Sequence, residues 1–262
     1  MTPPLTTLQL RDVTTGYRYK GEKIRIGKNY SATLPAGKLT SLLGVNGSGK
    51  STLLRSLSKS QEILGGEILV GDRNIASIPN SELGKLIGIV LTDRVESPNM
   101  TVYELVTLGR APYSNFWGHL SGEDKRVVNE AIDCIGIGNL SHRKVSSLSD
   151  GERQKVMIAK TLAQQTPVIL LDEPTAFLDY PSRIELMILM RKLARENNKT
   201  ILLSSHDIPL AMQLSDYLWL VNDERKLVTG TPEELGLCGE IGKSFDRDGV
   251  KYDYATQTFR MD

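Results

Sequence analysis

The sequence predicts an α/β fold: a parallel-sheet core, an N-terminal antiparallel β subdomain and a helical insertion subdomain. Three observations carry that expectation. The runs "PVILLDEP" and "TILLSSHD" are continuously apolar rather than alternating, as strands covered on both faces must be. Between them "YPSRIELMILMRKLARENN" has helical character with Pro181 near its first turn, which suits a crossover helix between parallel strands. Upstream, the glycine-rich turn "GVNGSGKST" stands between a short apolar strand and a helical stretch.

The remaining elements follow in chain order. "TTLQLRDVTTGY" and "KIRIGKNYSATLPAG" read as strands of an N-terminal sheet that stops at the turn signal Pro35, Ala36, Gly37. "KLTSLLG" is a short buried strand, "KSTLLRSLSKS" a helix, and "GGEILVGDRNI" and "LIGIVLT" further strands. Between about residues 95 and 165 the character becomes helical. There Ser121 and Asp124 open a helix in a capping-box pattern, and Val127, Val128, Ala131, Ile132 and Ile135 form its apolar stripe. "YLWLVNDERKLVTG" predicts a hairpin, and "RDGVKYDYATQTFRMD" a second one around Asp248 and Gly249. The expected division is a main domain over 5–237, with the helical subdomain at about 95–165 inserted in it, and an extension over 238–262 to which no chemistry is assigned.

Composition narrows the chemistry. With 262 residues, 40% apolar and 24% charged, the chain suffices for one core with a subdomain. A net charge of +1 supplies no general attraction for nucleic acid, which is not an expected partner, so any anion site must be local. Cys134 and Cys238 sit in no metal or disulfide pattern, which points to a reducing compartment. No run of 18 apolar residues occurs, so no membrane span is expected.

The most specific signal is G-x-x-x-x-G-K-[ST] at Gly44 to Thr52. Its glycines let successive backbone N–H groups turn inward around phosphate oxygens, and the helix that follows adds the positive end of its dipole. Gly44, Asn46, Gly47, Ser48 and Gly49 form the cradle, with Lys50 reaching the β and γ phosphates. Ser51 offers its hydroxyl to Mg²⁺, and Thr52 adds a second donor. The parallel core is therefore expected to be that of a P-loop NTPase, of RecA-like type. In "VILLDEP", Asp172 and Glu173 end a buried strand, an expensive place for two carboxylates unless a cation sits there. Mg²⁺ on a triphosphate is that cation, with Asp172 as metal holder and Glu173 as general base toward the attacking water. One strand later His206 is placed to touch the γ-phosphate or the water.

The order of phosphate loop, "LSDGERQ" at 148–154, "LLLDEPT", "FLD" at 177–179 and "SSH" at 204–206 resembles the ATP-binding subunit of ABC transporters over roughly residues 7–237. The resemblance implies that two copies sandwich two ATP molecules head to tail, so Ser149 and Gly151 of one copy contact the γ-phosphate held by the other. Asp179 is then expected along the seam, and Tyr17 stacked on adenine, with Tyr19 as the fallback and a sheet-core tyrosine as the plain alternative. Two departures stand out. Asp150 and Glu152 replace the third and fifth residues of the usual L-S-G-G-Q signature, so Asp150 must point away from the nucleotide or be neutralised, for instance by Arg153. Thr92 and Asp93 stand where the family usually has a glutamine; Asp93 either offers an oxygen to Mg²⁺ or its water, or is a solvated loop acid.

Residues 100–118, "MTVYELVTLGRAPYSNFWG", resemble the corresponding segment of importers for iron–siderophore complexes, haem and cobalamin. That likeness implies an integral membrane permease as partner, a periplasmic or lipid-anchored substrate-binding protein acting indirectly, and a place on the cytoplasmic face of the inner membrane. The alternative is a soluble ABC ATPase uncoupled from transport, of the iron–sulfur assembly type.

Overall fold

A computed structural model describes residues 6–91, 99–113, 120–253, 255–256 and 258–261. Residues 8–34 form a hairpin of β1 (Leu8–Tyr19) and β2 (Glu22–Leu34), with Leu8, Leu10, Val13, Tyr30 and Leu34 turned into the core. Its tip is the two-residue turn Lys20–Gly21, both with positive φ (+47° and +85°), the geometry that matches the twist of paired strands. The core strand β3 (Leu39–Gly44) is buried along its whole length and delivers the chain to α1 (Lys50–Leu57). Then β4 (Gly65–Val70) pairs antiparallel with β1 and β5 (Arg73–Asn74) with β4, completing a sheet of order β2-β1-β4-β5. A short α2 (Asn80–Leu83) leads into β6 (Ile87–Val90).

The helical part holds α3 (Val102–Thr107), α4 (Gly122–Ile135) and α5 (Asp150–Ala163). Each opens with a capping box, Thr101 with Glu104, Ser121 with Asp124 and Ser149 with Glu152, so two otherwise orphaned donors are satisfied at each start. Their stripes meet in a cluster that includes Val102, Leu105, Val128, Ile132, Val156 and Ala159. Beyond α3 the chain continues as a 3-10 turn, Leu108–Tyr113, that contains Pro112. Within it Arg110 is 5% exposed. Its Nε donates to Asp124 Oδ1 (2.8 Å) and its Nη1 to the Ala163 carbonyl (2.9 Å), with the guanidinium 4.1 Å from the Tyr113 ring centre. One side chain thus ties the end of α3 to the start of α4 and the end of α5.

Hydrogen bonds from Ser121 and Arg110 hold the Asp124 carboxyl down to a pKa of about 2. Because the folded value lies below the ordinary one, the pair stabilises fully above pH ~4 and loses this contribution as pH falls through about 2. Arg110→Met should cost roughly 3 kcal/mol at neutral pH, since one partner of a buried ion pair is left behind. Urea unfolding of parent and variant checks this, and the gap should narrow at the acid end.

The second half supplies β7 (Val168–Leu171), α6 (Tyr180–Glu196), β8 (Thr200–Ser204), α7 (Ile208–Leu214), β9 (Tyr217–Val221) and β10 (Leu227–Gly230). The resulting sheet has order β10-β9-β3-β8-β7-β6, parallel from β9 to β6 with β10 antiparallel at one edge. One face packs Leu42, Leu170, Leu202 and Trp219 with α1 and the N-terminal sheet. The other packs Leu39, Ile169, Ile201 and Leu203 against Met187 and Met190 of α6.

Two short helices, α8 (Pro232–Leu237) and α9 (Glu240–Phe245), precede a hairpin of β11 (Val250–Asp253) and β12 (Thr258–Met261). Its position corrects the expectation. Asp248 and Gly249 form a tight turn between Arg247 and Val250, while the strands pair one segment later, with Tyr252 opposite Phe259. Tyr252 and Ile241 are buried with Leu43, Leu218 and Leu235, so the tail rests on the core sheet. Among the described residues no helix is long and apolar enough to cross a membrane.

Candidate functional site

The site lies where three neighbouring strands, β3, β8 and β7, end at the same carboxyl edge. The register places Leu42 beside Ser204 and Leu171 beside Leu203, so Gly44, Asp172 with Glu173, and His206 all leave the sheet side by side. In parallel α/β sheets this edge is where ligands bind.

The phosphate loop turns from β3 into α1 through Gly49 (φ +99°), a left-handed residue that caps α1 without a side chain. A Cβ there would sit 2.3 Å from Ile26 Cγ2 of β2, and one at Gly44 would sit 2.7 Å from Ser48 Oγ, so side chains would fill the cradle. Asn46 and Gly47 are exposed. Ser48 Oγ is buried with no hydrogen-bond partner, a donor that a phosphate oxygen would satisfy. Lys50 is 6% exposed, and its Nζ donates to the carbonyls of Gly44 (2.8 Å) and Val45 (3.2 Å). Burial pushes its pKa below the ordinary lysine value, against the pull of the Glu173 and Asp172 charges that face it. Ser51 and Thr52 stand half-buried in the first turn of α1.

Asp172 is 1% exposed. Its Oδ1 accepts from Ser204 Oγ (2.7 Å), and the same Ser204 Oγ accepts from the Glu173 N–H (2.8 Å). Glu173 has φ +48°, a conformation that costs a non-glycine residue about 1 kcal/mol or more and persists where surrounding bonds impose it. Its Oε1 lies 2.5 Å from His206 Nε2. The carboxylate accepts, so the imidazole carries its proton on Nε2 in this arrangement. Beside the pair opens a cavity of about 430 Å³ whose lining includes Thr175, Ser205 and Asp207.

Among the described residues no group of three or more His, Cys, Asp or Glu converges as a metal cage. One buried carboxylate with nearby hydroxyls suits instead a hard divalent cation that takes the rest of its ligands from phosphates and water.

The signature residues stand apart from the cradle in the fold, at the start of α5. Ser149 is exposed, and its Oγ and N–H both donate to Glu152 Oε2 (3.0 and 2.8 Å). A Cβ on Gly151 would come within 3.0 Å of the Phe177 carbonyl, so the signature turn packs on the loop that carries Asp179. Asp179 Oδ1 accepts from the Ser182 N–H (3.0 Å) and caps α6. Hydrogen bonding from Ser182 holds its pKa below the ordinary value. Arg153, suggested as the neutraliser of Asp150, donates to the Leu148 carbonyl (3.3 Å). Of the two signature acids, Glu152 pairs with Arg143 (3.2 Å).

Tyr17 is 47% exposed on β1 and pairs with Ile24, two residues along β2 from the Ile26 that borders Gly49. Tyr19 is more exposed and lies at the hairpin tip. Thr92 and Asp93 lie outside the described residues, as does the "SNFWG" part of the segment 100–118. Ser204 and Arg143 were missed in the sequence. The register of "LLSSHD" against "LLLDEP" is the only signal that could have singled out Ser204.

The family model described as ABC transporter matches residues 27–176. The achromobactin transport ATP-binding protein CbrD of Dickeya dadantii is 38% identical over 88% of this chain and 84% of its own length. The ferric enterobactin transport ATP-binding protein FepC of Escherichia coli is 33% identical over 90% of this chain and 85% of its own. Among solved structures, the dimeric cassette MJ0796 in a post-hydrolysis state with ADP and Pi superposes with TM-score 0.76 at 28% identity, over 86% of this chain and 98% of that one.

Proposed function

This chain belongs to the ABC transporter family as an ATP-binding subunit, and on that premise we propose that it hydrolyses ATP to power uptake of an iron–siderophore complex through a separate membrane permease. The observation that carries the hydrolytic part is the meeting of the phosphate cradle, Asp172 and the Glu173–His206 pair at one sheet edge. Likeness to subunits that serve achromobactin and ferric enterobactin transport supports the ferric-chelate part.

In this reading residues 5–237 are the ATP-binding domain, with 95–165 as its helical insertion. The backbone donors of Gly44 to Gly49, with Ser48 and Thr52, hold the phosphates, and Tyr17 stacks on adenine. Lys50 leaves the Gly44 and Val45 carbonyls for the β and γ oxygens. Ser51 and Asp172 hold Mg²⁺, which when bound neutralises phosphate charge. Glu173 takes a proton from the attacking water, and His206 orients its carboxylate. Ser149 and Gly151 of a second copy cover the γ-phosphate, with Asp179 along the seam. Closure does work because ATP favours the joined state; a nucleotide that bound open and closed states equally would shift nothing.

A groove of about 660 Å³ bordered by Met100, Tyr103, Thr107, Leu108 and Leu120 is the proposed seat for a permease helix. Through it the subunit sits on the cytoplasmic face of the plasma membrane, with a substrate-binding protein delivering cargo on the far side. Co-purification from detergent-solubilised membranes tests this. Recovery with an integral membrane subunit, and ATPase stimulated by a ferric chelate, are expected; recovery only from the soluble fraction would favour the soluble ATPase alternative.

Ser204→Ala should lower turnover about 10- to 100-fold, the usual cost of removing a group that orients a metal ligand. Phosphate release as a function of Mg²⁺ concentration reads it, and full activity at ordinary Mg²⁺ would count against the assignment.

A further inference from the structure

The signature turn carries two acids where a triphosphate is to be met, and Arg143, from outside α5, is bonded to one of them. Glu152 uses both carboxylate oxygens: Oε2 accepts from the Ser149 N–H and hydroxyl, while Oε1 accepts from Arg143 Nη1 (3.2 Å). The same guanidinium donates through Nη2 to the Ser147 carbonyl (2.8 Å), so it spans the turn from one side to the other. The hydrogen bonds from Ser149 and the Arg143 charge keep Glu152 well below the ordinary carboxylate range, so it is ionised at neutral pH.

The place of Arg143 is fixed by its backbone. Its carbonyl accepts from the Val102 N–H (3.0 Å), Tyr103 N–H donates to the Ser141 carbonyl (3.0 Å), and Val145 N–H donates to the Met100 carbonyl (2.9 Å). A short antiparallel bridge, Thr101 opposite Lys144, completes this lattice. The arginine is therefore anchored through its backbone to the first turn of α3.

We propose that Arg143 is a positioning residue of the composite ATP site. It holds the Glu152 carboxylate back along the helix cap and offsets its charge, so that Ser149 and the N-terminus of α5 can meet the γ-phosphate bound by a second copy. The role rests on the two-copy reading above. Without Arg143 the ionised Glu152, still capped by Ser149, would face the incoming phosphate with its charge no longer offset, and repulsion would act in the drier closed interface, where charges are screened least.

The test uses the full chain carrying Glu173→Gln, which traps the closed form. The Mg·ATP concentration that gives half-maximal dimer is measured by size exclusion with light scattering. Arg143→Ala should raise that concentration about 3- to 10-fold, the range expected of a partly exposed charge pair reinforced by repulsion. Adding Glu152→Gln, which keeps a cap acceptor but removes the charge, should return it to within about twofold of the trapped parent, and Arg143→Lys should restore most of it. If Arg143→Ala has no effect, or an equal effect with and without Glu152→Gln, the charge-positioning role is overturned. A trapped parent that stays monomeric at saturating Mg·ATP overturns the two-copy reading and this role with it. A parent that dimerises while the variants behave alike removes only the role of Arg143.

Discussion

Glu173→Gln should lower steady-state ATP turnover about 10²- to 10⁴-fold, the usual contribution of a general base, while ATP affinity stays near the parent value. The substitution is nearly isosteric and leaves the backbone untouched. The left-handed φ of +48° is imposed by the Glu173 N–H donating to Ser204 Oγ and by the Ala176 N–H donating to the Glu173 carbonyl, and both bonds survive. What is lost is a carboxylate that accepts a proton, held against His206 Nε2 at 2.5 Å. Phosphate release measures turnover and a fluorescent-nucleotide titration measures affinity. Hydrolysis at the parent rate would remove Glu173 from the base role and leave His206 as the group to examine.

Lys50→Ala should act on binding itself, weakening ATP about 10- to 100-fold, the loss expected when a charge-assisted hydrogen bond to phosphate is removed. The environment makes the ammonium hard to replace. It is the cation facing Asp172 and Glu173 across the cradle, and both carboxylates raise its pKa against burial. An alanine would leave a triphosphate opposed to those two charges. Lys50→Arg should rescue poorly, since a forked planar group does not fit where the ammonium donates to two loop carbonyls 2.8 and 3.2 Å away. Calorimetric titration reads affinity, and an unchanged thermal midpoint separates binding from folding. Unaltered ATP affinity in Lys50→Ala would overturn the assignment of the cradle.

These two residues were legible in the sequence because their chemistry is tied to local backbone. A lysine after a left-handed glycine at a helix start, or a pair of acids at the end of a buried strand, needs only its immediate neighbours to be recognised. The same holds for the capping box at Ser121 and for the continuous apolar strands of the core. The signature acids were legible as an anomaly but not as a solution. That Glu152 pairs with Arg143 depends on a bridge between residues 101 and 144, for which no periodic pattern exists. The tail hairpin slipped for a related reason: Asp248–Gly249 is a good turn, yet pairing is chosen by the burial of Tyr252 against the core sheet and not by the turn alone.

By itself, then, the sequence determined the layered α/β architecture, the phosphate cradle and the identities of its charged groups, since these follow from strand periodicity and from what glycine, lysine and adjacent carboxylates can do locally. Only the tertiary structure decided which groups act on one another. Ser204 joins Asp172 to Glu173, Arg110 locks the three helices together, and Arg143 reaches Glu152. Each is a directional hydrogen bond that forms at about 3 Å between segments brought together by burial, and hydrophobic burial sets such distances without leaving a trace in the spacing of the chain.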